Sequence, residues 1–408
     1  MKCGLLGRKL SHSYSPQIHA LMGNDSYELF EKEPQEVETF LKQDDFSGIN
    51  VTIPYKKDVI PFLDELSPIA QRMGAVNTIV RRPDGSLFGH NTDYFGFFSM
   101  VERSGISVFG KKVLVLGSGG ASNTAVKVLE DMGADVVIIS RTGENNYDNL
   151  HLHADASVIV NTTPVGMYPN TGKAPVKLVD FPELEGVLDM IYNPARTQLL
   201  LDAEELGIPC FNGLWMLVAQ AKEAAEYFCG GSLPDTLIES VHRRLSMQMQ
   251  NVVLIGMPGC GKSTIASCLA QRLNRKVVDS DTRITELSQK TIPQIFAEDG
   301  EEAFRVWETK ALEEIGKQSC LVIATGGGCV TKMRNYRLLS RNGVIFWIKR
   351  DAEALAIEGR PLSLSGNLVE MYAKRKSMYE AFADYTVDNN DAVEDAVCTI
   401  IAHLEEGI

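Results

Sequence analysis

Asn251-Val-Val-Leu-Ile-Gly256-Met-Pro-Gly-Cys-Gly261-Lys262-Ser263-Thr264 sets an apolar run, a glycine turn and the start of a helix in that order. The run is short and continuous, as a parallel strand buried on both faces requires. Gly256 to Ser263 fits the GxxxxGK[ST] template at every fixed position. In that template backbone amides cradle phosphates, the lysine reaches the β- and γ-oxygens, and the serine hydroxyl ligates Mg²⁺. Gly256, Gly259, Cys260, Gly261, Lys262, Ser263 and Thr264 are therefore candidate ATP-binding residues. Cys260 stands at a variable position of the template, with no redox role implied. The same grammar occurs upstream, in Lys112-Val-Leu-Val-Leu-Gly117-Ser-Gly119-Gly120-Ala121-Ser122, followed by a periodic apolar run from Ala125 to Met132. These glycines permit a tight turn and close approach to a pyrophosphate at a helix N-terminus. Ser122 takes the fingerprint position usually held by Gly or Ala.

Working outward, β–α alternation on both sides of these loops predicts an α/β architecture throughout. At 408 residues the chain is long enough for two or three domains. Gly230-Gly-Ser-Leu-Pro234 opens a helix expected to end near Leu245, and the polar stretch Ser246 to Gln250 then leads into the second glycine-loop strand. The junction is placed there. A net charge of −13 argues against nucleic-acid or acidic-membrane partners, which need a basic footprint. The eight cysteines are scattered without ligand-like spacing, so reduced thiols are expected rather than disulfides or zinc. The N-terminal Met-Lys-Cys-Gly-Leu-Leu-Gly-Arg lacks a signal-peptide core, and no stretch approaches the roughly 18 apolar residues of a membrane span. A cytoplasmic location follows as the expectation.

The strand after the first glycine loop ends in Ser140-Arg141-Thr142, with no carboxylate to hold an NAD ribose. Arginine there suits a 2′-phosphate, which favours NADP. Around this loop the chain carries Ser13-Tyr-Ser15-Pro, Asn50-Val-Thr52-Ile-Pro-Tyr-Lys56, Gly74-Ala-Val-Asn77-Thr and Asn91-Thr-Asp93. Asn161-Thr-Thr-Pro-Val-Gly-Met167, Tyr192-Asn-Pro and Gly213-Leu-Trp-Met216-Leu-Val-Ala-Gln220-Ala follow it. In order and spacing this series resembles shikimate dehydrogenase across almost all of residues 1–245. The resemblance implies that Lys56 and Asp93 are catalytic. Reducing a ketone by hydride leaves an alkoxide that needs a proton, and a lysine held by a carboxylate can stabilise it. It further implies Ser13, Ser15, Thr52, Asn77, Tyr192 and Gln220 as substrate contacts. Gly117, Gly119, Gly120, Ala121, Ser122, Arg141, Thr142, Gly213 and Met216 are implied as NADP contacts. Only 19 residues separate Thr142 from Thr162, and no second basic residue follows Arg141-Thr142. Both depart from the family pattern, and a nucleotide-binding domain trimmed by part of a β–α unit is expected.

Downstream of the second glycine loop come Val277-Val-Asp279-Ser-Asp281, Phe304-Arg305-Val-Trp-Glu308, Ala324-Thr-Gly326-Gly327-Gly328, Arg360-Pro-Leu and Arg375-Lys-Ser-Met-Tyr379. The two aspartates are expected on one side of a strand end, one near the metal and one near the acceptor hydroxyl. Together the segments resemble shikimate kinase over residues 251–408. The resemblance implies that Asp281, Arg305, Gly327, Gly328 and Arg375 bind shikimate, and that Asp279 joins Ser263 near Mg²⁺. Paired arginines match a carboxylate through bidentate, charge-assisted bonds. Arg360 is implied as a catalytic lid residue that also reaches ATP. The segment Ala354-Leu-Ala-Ile-Glu-Gly-Arg360 is short and lacks a basic residue upstream of Arg360, so adenine stacking and lid closure are expected to differ.

The resemblances imply an α/β substrate domain over 1–100 plus 213–246 and a Rossmann-like NADP-binding domain over 101–212. Residues 247–408 would form a P-loop, NMP-kinase-like domain with a doubly wound parallel sheet. The implied activities are NADPH-dependent reduction of 3-dehydroshikimate and ATP-dependent phosphorylation of shikimate, with Mg²⁺. Two alternatives stay open: an NAD-using quinate/shikimate dehydrogenase, and a half that has become a regulatory binding module. Retention of Lys56, Asp93, Lys262 and Asp281 argues against the latter.

Overall fold

A computed structural model describes residues 2–10, 13–43, 46–351, 355 and 368–406. Arg360, with Pro361 and Leu362, lies outside the described residues. The chain divides into two compact units. One comprises Met1–Gly166, Lys173–Tyr192 and Asp202–Leu245; the other comprises Met167–Gly172, Asn193–Leu201 and Ser246–Ile408.

The first unit holds two sheets. The N-terminal one has strands β1 (Cys3–Gly7), β2 (Tyr27–Glu31), β3 (Gly48–Val51), β4 (Glu65–Leu66), β5 (Thr78–Arg81) and β6 (Leu87–His90), in the order β2-β1-β3-β5-β6-β4. β1 runs parallel to β2 and β3, while β5 is antiparallel to β3 and β6, so this sheet is mixed. The cause is local. A short turn from Arg82 to Ser86, with Gly85 at φ +88° and the Asp84 carboxylate accepting from the Ser86 amide, joins β5 to β6 without a crossover.

The second sheet has β7 (Lys112–Leu116), β8 (Asp135–Ile139), β9 (Val158–Asn161), β10 (Gly186–Asp189) and β11 (Cys210–Asn212), all parallel, in the order β11-β10-β9-β7-β8. β9 is buried along its whole length, and so is β7 after its first residue, as their unbroken apolar runs demand. β8 sits at the edge with Ile138 42% exposed. Between β8 and β9, where every residue is described, the chain forms a loop and a single 3₁₀ turn, Leu150–His153, in place of an α-helix. This is the trimmed crossover expected from the 19-residue spacing between Thr142 and Thr162.

Two helices of the first unit, Asp93–Ser104 and Leu214–Cys229, pack closely. A Cβ on Gly96 would lie 2.8 Å from both the Met216 carbonyl oxygen and Gln220 Cβ, so glycine is what permits the approach. The contact fixes Asp93, at the start of one helix, relative to Met216 and Gln220 on the other.

The second unit is built on β12 (Asn251–Ile255), β13 (Lys276–Asp279), β14 (Leu321–Ala324), β15 (Gly343–Lys349) and β16 (Tyr385–Asp388), all parallel, in the order β13-β14-β12-β15-β16. This doubly wound order reverses beside β12, where ligands bind outside the carboxyl ends of the strands. The glycine loop after β12 lies there.

Two expectations need correction. The helix predicted to end near Leu245 spans Thr236–Met249 and takes in most of the stretch read as a polar linker. Met249 is buried, and the Arg275 guanidinium donates to the carbonyls of Met247 and Gln250 at 2.6 and 2.8 Å, satisfying backbone acceptors that a helix end leaves open. Second, Asp279 and Asp281 do not both end a strand. β13 stops at Asp279, whose side chain N-caps the helix Ser280–Ser288 by accepting from the Asp281 amide at 2.9 Å.

Candidate active sites

The first unit contains a cavity of about 1100 Å³ at the carboxyl side of β7, lined by the glycine loop on one side and by residues of the N-terminal sheet on the other. Lys56 Nζ lies 2.5 Å from Asp93 Oδ2 in this cavity, with the two side chains 29% and 18% exposed. The pair is therefore shielded yet reachable. The other Asp93 oxygen, Oδ1, accepts from Asn77 Nδ2 at 2.9 Å, and the Asp93 amide donates to Asn91 Oδ1 at 3.1 Å. Ser13, Ser15, Thr52, Asn77, Tyr192, Met216 and Gln220 line the same space. Burial raises the Tyr192 hydroxyl above its usual range, so it remains a hydrogen-bond donor.

The helix Gly120–Asp131 begins at the cavity with no side-chain cap, which leaves its first amides to an incoming anion. Ser118, Gly119, Gly120 and Ala121 line this end, and a Cβ on Gly119 or Gly120 would meet nothing within 4 Å. That open space beside bare amides fits the pyrophosphate of a dinucleotide. Gly117 and Ser122 do not reach the lining. Gly117 adopts φ +116° beneath Thr162, and Ser122 is buried with its hydroxyl donating to the Gly117 carbonyl at 2.7 Å. Their part is to hold the loop. Gly213 lines the cavity and packs so tightly on Met190, just after β10, that a Cβ would come within 2.1 Å of the Met190 carbonyl oxygen. Arg141 and Thr142 are exposed beyond the end of β8, outside the lining.

The second unit holds a cavity of about 670 Å³ formed by the other glycine loop, the start of the helix Ser280–Ser288, and the Gly326–Gly328 segment after β14. Gly256, Gly259 and Gly261 adopt φ of +146°, +86° and +99°, a conformation that favours glycine. Lys262 Nζ donates to the carbonyls of Gly256 and Met257, both at 2.9 Å, and is folded back along its own loop. Gly259, Gly261, Lys262, Ser263 and Thr264 line the cavity, whereas Cys260 is fully buried beneath it and Gly256 turns the backbone behind it. The Ser263 hydroxyl lies 3.4 Å from Asp279 Oδ2, and both face the cavity. One hydroxyl and one carboxylate suit Mg²⁺, which keeps several waters and takes further ligands from phosphates.

Three consecutive glycines gather the acceptor side. A Cβ on Gly326 would sit 2.7 Å from Asp281 Oδ1, on Gly327 2.5 Å from Pro258 Cδ, and on Gly328 2.1 Å from Arg305 Nη1. Arg305 is held by Glu308 at 3.0 Å and Glu301 at 2.9 Å; Arg375 donates to the Gly327 carbonyl at 3.1 Å. Asp281, Arg305, Gly327, Gly328 and Arg375 all line this one cavity.

Glu308, quoted above within its motif but given no role, and Arg350, which no motif flagged, also line this cavity. Glu308 is fully buried, and burial pushes its carboxyl up to about 7 against the opposing pull of Arg305. Its signal was available in the i,i+3 spacing from Arg305. Arg350 follows β15 directly and has no motif around it.

Comparison with known proteins agrees with both halves. The family model described as shikimate dehydrogenase substrate binding domain matches residues 5–79, and that for shikimate kinase matches residues 258–405. A shikimate dehydrogenase (NADP(+)) of Clostridium perfringens (strain SM101 / Type A) is 38% identical over 265 residues, covering 59% of this chain and 97% of that protein. The crystal structure of shikimate dehydrogenase 1 from Peptoclostridium difficile is 37% identical with a TM-score of 0.55, covering 60% of this chain and 98% of that one. Shikimate 5-dehydrogenase from Thermus thermophilus, solved with NADP(H) and shikimate, is 32% identical with a TM-score of 0.55, covering 60% and 99%. With its glycine loop, its Lys56–Asp93 pair and these relatives, the chain belongs to the shikimate dehydrogenase family and carries a shikimate kinase domain after it.

Proposed function

We propose that the first unit interconverts 3-dehydroshikimate and shikimate with NADP(H), and that the second transfers the γ-phosphoryl group of ATP to a shikimate hydroxyl, giving shikimate 3-phosphate. The observation that carries the reading is that each cavity joins an anion-receiving glycine loop to charged groups able to handle an acceptor oxygen. Bound NADPH supplies the hydride. Lys56 holds the proton needed at the developing alkoxide, and Asp93 keeps the ammonium aimed at it. Ser13, Ser15, Thr52, Asn77, Tyr192 and Gln220 offer hydroxyl and amide groups to a polyhydroxylated ring. In the second cavity Asp281 accepts the hydroxyl proton while Arg305 and Arg375 hold the ring carboxylate. Lys262 stabilises the phosphoryl oxygens, and bound Mg²⁺ neutralises phosphate charge. Arg360 is proposed to complete the site from the lid.

The test is direct. Purified protein given shikimate and NADP⁺ should raise absorbance at 340 nm, more strongly than with NAD⁺; with ATP and Mg²⁺ it should release ADP only when shikimate is present. Silence in either assay overturns that half. A stronger response to NAD⁺ would favour the alternative raised by the exposed, solitary Arg141.

The kinase should also show a pH-dependent affinity for shikimate. Glu308 titrates at about 7 and lies beside the arginine proposed to hold the carboxylate. An anion bound there favours the protonated Glu308. The KM for shikimate is therefore lowest below that value, rises several-fold as pH increases through 7, and levels off above it. Glu308→Gln should flatten this rise, as steady-state KM measured from pH 6 to 8.5 would reveal.

A further inference from the structure

We infer that Tyr27, Asn50 and Thr78 form a buried hydrogen-bond relay that positions Asp93, and through it Lys56, for proton delivery. The inference rests on the dehydrogenase reading of the first cavity. Register brings these residues together. Tyr27 on β2 is level with Cys3 on β1, which is level with Gly48 on β3; Asn50 lies two residues further along β3, directly opposite Thr78 on β5. A spacing of two keeps all of them on one face of the sheet.

The bonds run in one direction. The Tyr27 hydroxyl donates to Asn50 Oδ1 at 2.8 Å, Asn50 Nδ2 donates to Thr78 Oγ1 at 3.2 Å, and the Thr78 hydroxyl donates to Asn77 Oδ1 at 3.1 Å. Asn77 Nδ2 then donates to Asp93 Oδ1 at 2.9 Å, leaving Oδ2 for Lys56. An amide has two unlike ends, and only its partners decide which way it faces. The Tyr27 proton orients Asn50. The Thr92 amide, donating to Asn77 Oδ1 at 2.8 Å, together with the Thr78 hydroxyl, orients Asn77. Tyr27, Asn50, Asn77, Thr78 and Thr92 are all buried, so water cannot replace a lost partner readily. Head-to-tail bonds in a low-dielectric interior polarise one another, and here the chain ends on the carboxylate.

Tyr27 and Thr78 do not line the cavity, so they act as positioning residues rather than substrate contacts. Tyr27→Phe removes one oxygen and keeps the ring that stacks on His19 at 4.0 Å. Since small misplacements of catalytic groups are costly, we expect kcat for shikimate oxidation to fall about tenfold, with KM for shikimate changing less than about twofold. The solvent deuterium isotope effect on kcat should rise, because proton transfer becomes slower relative to the other steps. That ratio does not depend on how much of the sample is active. Thr78→Val should behave alike, and the double variant should be no worse than the weaker single one, because both break one chain. The kinase activity of the same samples serves as a measure of intact protein. An unchanged kcat, a fall in kcat at the wild-type isotope effect, or two losses that multiply would each overturn the relay. A wild-type protein inert toward shikimate and NADP⁺ would instead refute the dehydrogenase reading itself.

Discussion

Lys56→Ala should lower kcat for shikimate oxidation by about 10³-fold, within the range general acid–base and oxyanion effects span in enzymes, and leave shikimate-dependent ADP release unchanged. In barrier terms this is about 4 kcal/mol. The size follows from the shielding of the pair. Lys56 and Asp93 meet at 2.5 Å with little exposure, so the ammonium acts in a medium where its charge is weakly screened. Removal also leaves Asp93 without its ammonium partner beside the reacting oxygen, where its negative charge opposes the developing alkoxide. KM for shikimate should move far less, since Ser13, Ser15, Asn77 and Tyr192 remain. Steady-state kinetics at 340 nm on the full chain measures both. A loss confined to KM would show that Lys56 binds substrate and does not assist the chemistry.

Lys262→Ala should reduce kcat/KM for ATP by about 10³-fold or more while dehydrogenase kinetics stay at the wild-type level. Lys262 is buried and already folded against its own loop, with both carbonyl partners 2.9 Å away. An arriving phosphate replaces those two carbonyls and finds the charge in place, so little ordering accompanies binding. Among the described residues, alanine removes the only lysine lining that cavity; the arginines there are committed to Glu301, Glu308 and the Gly327 carbonyl or stand after β15. Coupled ADP-release assays over a range of ATP concentrations give the ratio. Retention of wild-type turnover would remove the glycine loop from the phosphoryl-transfer site.

Both glycine loops were legible in the sequence because their geometry is local. In each, an apolar run, a glycine at positive φ and the start of a helix lie within about a dozen residues, and in the second loop Lys262 heads that helix. The trimmed crossover was legible by counting, since the 19 residues between Thr142 and Thr162 fall short of the family's spacing; that a single 3₁₀ turn takes the helix's place was not. Long-range convergence was not legible. The placement of Asp281 depended on Asp279 capping a helix, which strand periodicity does not foresee. Arg350 enters its cavity because β15 ends beside the glycine loop, and nothing near it in sequence says so. Asn50 was visible as part of a motif, but its partner Tyr27 comes from a strand on the far side of β1. The helical reach of Thr236–Met249 was missed because Arg275, supplied from beyond the next strand, satisfies the carbonyls at its end.

β8 ends its sheet without the covering helix that usually follows such a strand. Its outward amides and carbonyls, together with the half-bare Ile138, make a ready template for another extended chain, and Asp135 is its only charged residue. Mutual repulsion from a net charge of −13 near neutrality opposes such pairing, and it fades toward the isoelectric point near 5.1. Mildly acidic storage would therefore bring this ribbon into play, favouring intermolecular sheet and precipitation.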